Sequence, residues 1–196
     1  MRLSESEILD QFSHIVATSL RIQPSQVTAD AYLDDLGAES LDLLEISMGT
    51  ESRFHIWLPE RTILQTAGEV FGPGVLEKDG FLTEEGKKLL LNRVPAGEAH
   101  LFAGEVSTSA LQKYFLKVST WVRMIQTFAE ATPERCANCG GVLEGTPGFA
   151  MKCAQCGSEV PLTSGEDLNR AWVEQYRAEH CPADASESKT DAQAAP

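Results

Sequence analysis

One serine and four cysteines are the side chains whose placement could do chemistry. Ser40 follows Gly37-Ala38-Glu39 and precedes Leu41-Asp42-Leu43-Leu44-Glu45-Ile46, so a loop broken by glycine leads into an acidic, amphipathic helix with Ser40 at its expected cap. The first turn of a helix has unpaired N–H groups and the positive end of the macrodipole, so an anion esterified to the Ser40 hydroxyl would lie in a favourable field. The cysteines form two C-x-x-C-G knuckles, Cys136/Cys139 and Cys153/Cys156, with thirteen residues between Cys139 and Cys153. Two residues between cysteines let both thiolates of one turn face a single ion, and the glycine after each pair lets backbone amides close around sulfur. Two disulfides or a redox-active dithiol are the alternatives, but paired knuckles in a chain without an export signal read as metal ligands. With four thiolates the site would be closed and structural, holding zinc, or iron as the alternative.

The elements that must position Ser40 are readable on either side of it. Ser4-Glu5-Ser6-Glu7 is a capping box, and Ile8, Phe12, Ile15, Val16 and Leu20 then share a helical face. After a loop containing Pro24, the residues Tyr32, Leu33 and Leu36 can pack back onto a bundle. Beyond the second helix comes Phe54-His55-Ile56-Trp57-Leu58-Pro59-Glu60.

Over residues 4 to 70 this arrangement resembles the acyl carrier protein family, whose Asp-Ser-Leu motif opens the second helix and carries 4'-phosphopantetheine on its serine. Here the motif reads Glu39-Ser40-Leu41, which exchanges Asp for Glu and keeps the charge. The resemblance implies attachment of phosphopantetheine at Ser40 by a phosphopantetheinyl transferase. It also implies docking of acyl- or aminoacyl-loading and transferring enzymes on Glu39, Leu41, Asp42, Leu44, Glu45, Met48 and Glu51, and no catalytic duty for the chain. The Phe54–Glu60 run resembles the turn into the family's short third helix. The last helix of the bundle is either 62 to 71 or 83 to 93.

The 16 basic and 29 acidic side chains give a net charge of -13. Residues 1 to 59 hold three basic groups against ten acidic ones, which concentrates negative charge around the tether. That balance argues against nucleic acid as a partner, and residues 132–162, which carry both knuckles and read as a small zinc ribbon, hold only Arg135 and Lys152 as basic groups. No apolar run approaches a membrane span and the polar N-terminus is no export signal, so a cytoplasmic protein is expected.

The remaining chain divides at Gly72-Pro73-Gly74 and Asp79-Gly80. Thr83-Glu84-Glu85 can start a helix through Leu91, which Pro95 stops. Leu111, Phe115, Val118, Val122, Ile125 and Ala129 then form one continuous apolar seam. Its width favours packing against this chain's own bundle or ribbon, with a homodimer through residues 108–130 as the second reading. Val142 to Met151 reads as two short strands with a Gly/Pro turn, and Trp172, Val173 and Tyr176 lie on a last helix.

The expected fold is therefore mainly α: an acyl-carrier-like helical bundle (1–75), a helical extension (76–131), a small β zinc ribbon (132–162), a short C-terminal helix (163–181) and a disordered tail (182–196). The expected function is a carrier presenting acyl or aminoacyl thioesters in fatty acid, polyketide or related biosynthesis. A rubredoxin-like redox protein and an unmodified acidic adaptor are the competing classes.

Overall fold

In the computed structural model, residues 3–146 and 148–181 are described, so the expectation of a disordered tail at 182–196 lies outside the described residues. Helix α1 (Glu5–Leu20) starts at the expected capping box. The Ser4 hydroxyl accepts the Glu7 N–H, and the Glu7 carboxylate accepts the Ser4 N–H at 2.8 Å. Helix α2 (Ser40–Phe54) follows a long loop and ends at His55 in the left-handed region. Then come α3 (Ile63–Phe71), capped by the Thr62 hydroxyl, and the hairpin β1 (Glu77–Lys78) and β2 (Phe81–Leu82). Thr83 caps α4 (Glu84–Leu91), and a 3₁₀ stretch (Ala96–Phe102) leads to α5 (Thr108–Phe115) and α6 (Val118–Ala131). The C-terminal part is an antiparallel sheet of β3 (Leu143–Gly145), β4 (Ala150–Cys153) and β5 (Glu159–Pro161), with β4 in the middle, followed by α7 (Gly165–His180).

Two large apolar cores interleave along the chain. The first is built from Ile8, Phe12 and Val16 of α1, Ile46 and Phe54 of α2, the loop residues Leu33, Ile56 and Leu58, and Val118, Val122, Ile125 and Phe128 of α6. The second joins α3, the hairpin, α4 and α5 to α7 through Ile63, Ala67, Leu82, Leu89, Leu111, Val173 and Tyr176. A third, small cluster of Leu143, Met151 and Leu162 surrounds Cys136 and Cys153 under the sheet, with Trp57 packed against it. No helix among the described residues is long and apolar enough to cross a membrane.

Several expectations are corrected by this packing. Neither 62–71 nor 83–93 closes the first bundle; α6 does, and α3 packs on α7 instead. The bundle therefore combines residues from both sides of the expected boundary at 75. The continuous seam is cut in two, with Leu111 in the second core and Val118, Val122 and Ile125 in the first. The cut is made by backbone pairing rather than by proline or glycine. Leu33 N–H donates to Leu116 O at 2.9 Å, Val118 N–H to Ala31 O at 2.9 Å and Ser119 N–H to Ala29 O at 3.0 Å, which holds Lys117 extended. Of the side chains that would line a homodimer through 108–130, Leu111, Val118, Val122 and Ile125 are buried in the chain's own cores, and Phe115 and Ala129 are half-buried against them. The C-terminal helix, sixteen residues long, is an integral wall of the second core.

Candidate functional site

Ser40 lies one position further into the helix than expected. Glu39 is the extended N-cap residue, and its N–H is held by the Asp42 carboxylate at 2.8 Å. Ser40 is therefore the first helical residue, it is exposed, and among the described residues its hydroxyl enters no hydrogen bond. A serine used as a cap would have its oxygen occupied by a backbone amide; here that oxygen is free. The loop delivers it by a tight turn: Gly37 adopts φ +94, its N–H donates to Asp34 O at 3.0 Å, and Ala38 N–H donates to Leu33 O at 2.9 Å. Such a left-handed φ favours glycine.

Ile46, Thr50 and Phe54 turn the inner face of α2 into the first core, which leaves the opposite face bare. On it Leu41, Leu44 and Met48 are 77%, 57% and 61% exposed, spaced along one stripe with Glu45 beside them. The seven residues expected to meet partners are not equivalent. Glu39, Leu41, Leu44, Glu45 and Met48 are exposed, whereas Asp42 and Glu51 are half-buried. Asp42 holds the helix start, and the Glu51 carboxylate accepts the Leu58 N–H at 3.0 Å. Burial raises the Glu51 pKa, against the lowering effect of that amide. The Glu51 carboxylate thus serves the turn after α2.

A cationic flank on the loop before α2 was not legible in the sequence. Lys113 lies 3.1 Å from Asp35, and Lys117 lies 3.2 Å from both Asp30 and Glu98. Glu98 also accepts from the Tyr114 hydroxyl at 2.8 Å and Arg123 at 3.0 Å. These partners stand 16 to 87 positions apart, beyond any helical or strand periodicity that a sequence pattern can register. The four histidines lie elsewhere: His14 is exposed on α1, His55 ends α2, the His100 ring meets Gly97 O, and His180 stacks on Tyr176.

The four thiols converge. All four Sγ atoms lie within 4.8 Å of one another, with Cys136 to Cys156 at 3.7 Å and Cys139 to Cys153 at 3.4 Å. Four sulfurs at the zinc–thiolate distance in a tetrahedron are about 3.8 Å apart, and a disulfide is about 2 Å, so the set fits one metal ion and no S–S bond. Both knuckles close alike. Gly140 N–H donates to Cys136 O at 2.8 Å and Gly157 N–H to Cys153 O at 2.9 Å, both glycines being left-handed. A Cβ at Gly141 would come within 3.0 Å of Cys153 Sγ, so the second glycine of Cys139-Gly140-Gly141 keeps the cluster compact. The Ser158 hydroxyl and amide draw the Cys156 thiol down to about 6. Despite the Gly141 amide, its hydrogen bonds with Cys153 and Cys156 push Cys139 up to about 12. A bound dication would favour all four thiolates. Cys181 lies apart as a free thiol.

Residues 10–70 match a family model described as a phosphopantetheine attachment site. An acyl carrier protein of Guillardia theta is 41% identical over 59 residues, 30% of this chain and 73% of that protein. One of Rhodococcus erythropolis (strain PR4 / NBRC 100887) is 33% identical over 73 residues, 36% of this chain and 80% of its own length. No solved structure matches the chain.

Proposed function

The chain belongs to the acyl carrier protein family, and from that premise we propose that Ser40 is its point of phosphopantetheine attachment and that α2 is the surface its partner enzymes grip. Proteins of this family are carriers and not catalysts. The observation that carries the assignment is the Ser40 hydroxyl, exposed and unbonded at the first helical position inside the matched span. When attached, the prosthetic group supplies the thiol to which acyl or aminoacyl cargo is joined.

The chain's own residues present that group. Asp42 holds the Glu39 amide and fixes the helix start, the Gly37 turn lifts Ser40 to the surface, and the α2 N-terminus favours the phosphodiester charge. Leu41, Leu44 and Met48 offer apolar contact with Glu39 and Glu45 at its edge, a pattern that suits a basic enzyme surface with an apolar slot. No general base beside Ser40 is needed, because the transferase can activate the hydroxyl. Fatty acid, polyketide and related biosynthesis are the pathways that use such carriers.

In the same reading the cysteine cluster is a closed structural site for zinc that shapes docking. Its support is the contact between the sheet and the turn after α2, where Phe149 stacks on Trp57 at 4.4 Å. Iron at the same thiolates would favour the redox reading, and metal analysis separates the two.

The test is the intact mass of the chain before and after incubation with a broad-specificity phosphopantetheinyl transferase, magnesium and coenzyme A. One phosphopantetheine is expected on the wild type and none on Ser40→Ala. No gain, with a control carrier modified in parallel, rejects the assignment and leaves an unmodified adaptor.

A further inference from the structure

The loop before α2 carries three acids, Asp30, Asp34 and Asp35, and each meets a lysine from a distant part of the chain. Lys113 Nζ lies 3.1 Å from Asp35 and 3.9 Å from Asp34, and 5.1 Å above the Tyr32 ring. Lys117 Nζ lies 3.2 Å from Asp30. The α5–α6 junction aims both: Leu116, Val118 and Ser119 hydrogen-bond along the backbone of residues 29–33, so the junction lies against the tether loop as a strap. On the outer face of α2, by contrast, Glu39 and Glu45 have no cationic partner among the described residues.

This contrast matters for recognition more than for folding. The Lys113 side chain is 52% exposed, and an exposed pair of this kind contributes little to stability. Its effect on the field outside is larger. An acid with a lysine 3 Å away presents a weak dipole to an approaching cation, while an unpaired acid presents a full charge felt across about 8 Å at physiological salt.

We propose that Lys113 is a specificity-determining residue: by holding Asp34 and Asp35 it withdraws the loop acids from docking, so that the basic surface of a partner is admitted along α2 alone. The proposal rests on the reading of Ser40 as the attachment point. The partner it fits is a protein whose basic patch borders an apolar slot matched to Leu41, Leu44 and Met48. Enzymes whose basic patch must also span the loop lose their counter-charges there and are disfavoured.

The experiment is steady-state loading of the full-length, metal-containing chain by a broad-specificity phosphopantetheinyl transferase. It compares wild type, Lys113→Ala, Lys113→Glu, Lys113→Arg and Lys88→Ala. The last removes the same charge from α4, where Lys88 pairs with Glu85. Freeing the loop acids is expected to lower KM in Lys113→Ala by about two- to five-fold with kcat unchanged, since docking charges act on encounter. Lys113→Glu should lower it further, while Lys113→Arg and Lys88→Ala keep the wild-type value. The difference should vanish at roughly 0.5 M salt. A KM for Lys113→Ala equal to that of Lys88→Ala, or a loss of kcat with KM unmoved, overturns the proposal. A wild-type chain that gains no mass removes the attachment reading and this proposal together; a mass gain with an unmoved KM removes this proposal alone.

Discussion

Glu98 is the acid that ties the strap to the rest of the molecule. It receives Tyr114, Lys117 and Arg123, and its side chain is 17% exposed. Burial alone would raise its pKa, but the Tyr114 hydroxyl, Lys117 and Arg123 outweigh that effect and hold it below the usual carboxylate range. An acid with a depressed folded pKa contributes stability above its unfolded value of about 4.3, and that contribution disappears as pH falls through the folded value. Glu98→Gln should therefore cost about 1–2 kcal/mol at pH 7, and the gap to wild type should close below about pH 4 in urea titrations run across that range. A gap independent of pH would mean that Glu98 contributes shape and not charge. At this scale Ser40 and the four cysteines were legible because a glycine turn, a helix start and a C-x-x-C-G knuckle are each written within a few adjacent residues. Glu98 was not, since its three partners come from other elements.

Helix α6 shows what amphipathic periodicity leaves open. Its apolar stripe meets α1 and α2, Ile125 is fully buried there, and Trp121 stacks on Phe12 with ring centroids 5.4 Å apart. Ile125→Ala should cost about 2–5 kcal/mol in chemical denaturation, with faster amide exchange in α1 as well as α6. If the stripe formed a dimer seam instead, the unfolding midpoint would rise with protein concentration; a concentration-independent midpoint is expected. The family-like span at 10–70 should also fail to fold as an isolated fragment, because it lacks the helix that covers Phe12 and Ile46. The starts of α1 and α4 were legible from their caps, and the break at Leu116-Lys117 was not, because that break comes from pairing with residues 29–33 and not from a local breaker.

At the scale of the whole molecule, three modules meet on the turn that follows α2. A Cβ at Gly145 of β3 would fall 2.1 Å from His55 Nδ1, so the ribbon backbone lies directly on the His55 ring. Phe149 stacks on Trp57, and Gly165 at the start of α7 donates to Trp57 O at 2.8 Å. The same turn inserts Ile56 and Leu58 into the first core. Metal at the cysteines is therefore expected to be coupled to the end of α2. One zinc per chain should appear in the native mass spectrum and be lost in Cys136→Ser. Chelation should lower Tm by on the order of 10 °C and deprotect the amides of residues 55–58; unchanged exchange there would show the ribbon to be an independent appendage. The sequence by itself determined the local chemistry: the serine at a helix start, the caps of α1 and α4, the knuckles and the apolar stripes of α1 and of the seam from Leu111 to Ala129. These depend on neighbours within about four positions, where backbone geometry leaves few choices. Only the tertiary structure decided which apolar faces meet, that α6 and not α3 closes the bundle, and that Lys113 pairs with Asp34 and Asp35. Hydrophobic burial is non-directional, so a stripe specifies that it must be covered without specifying by what.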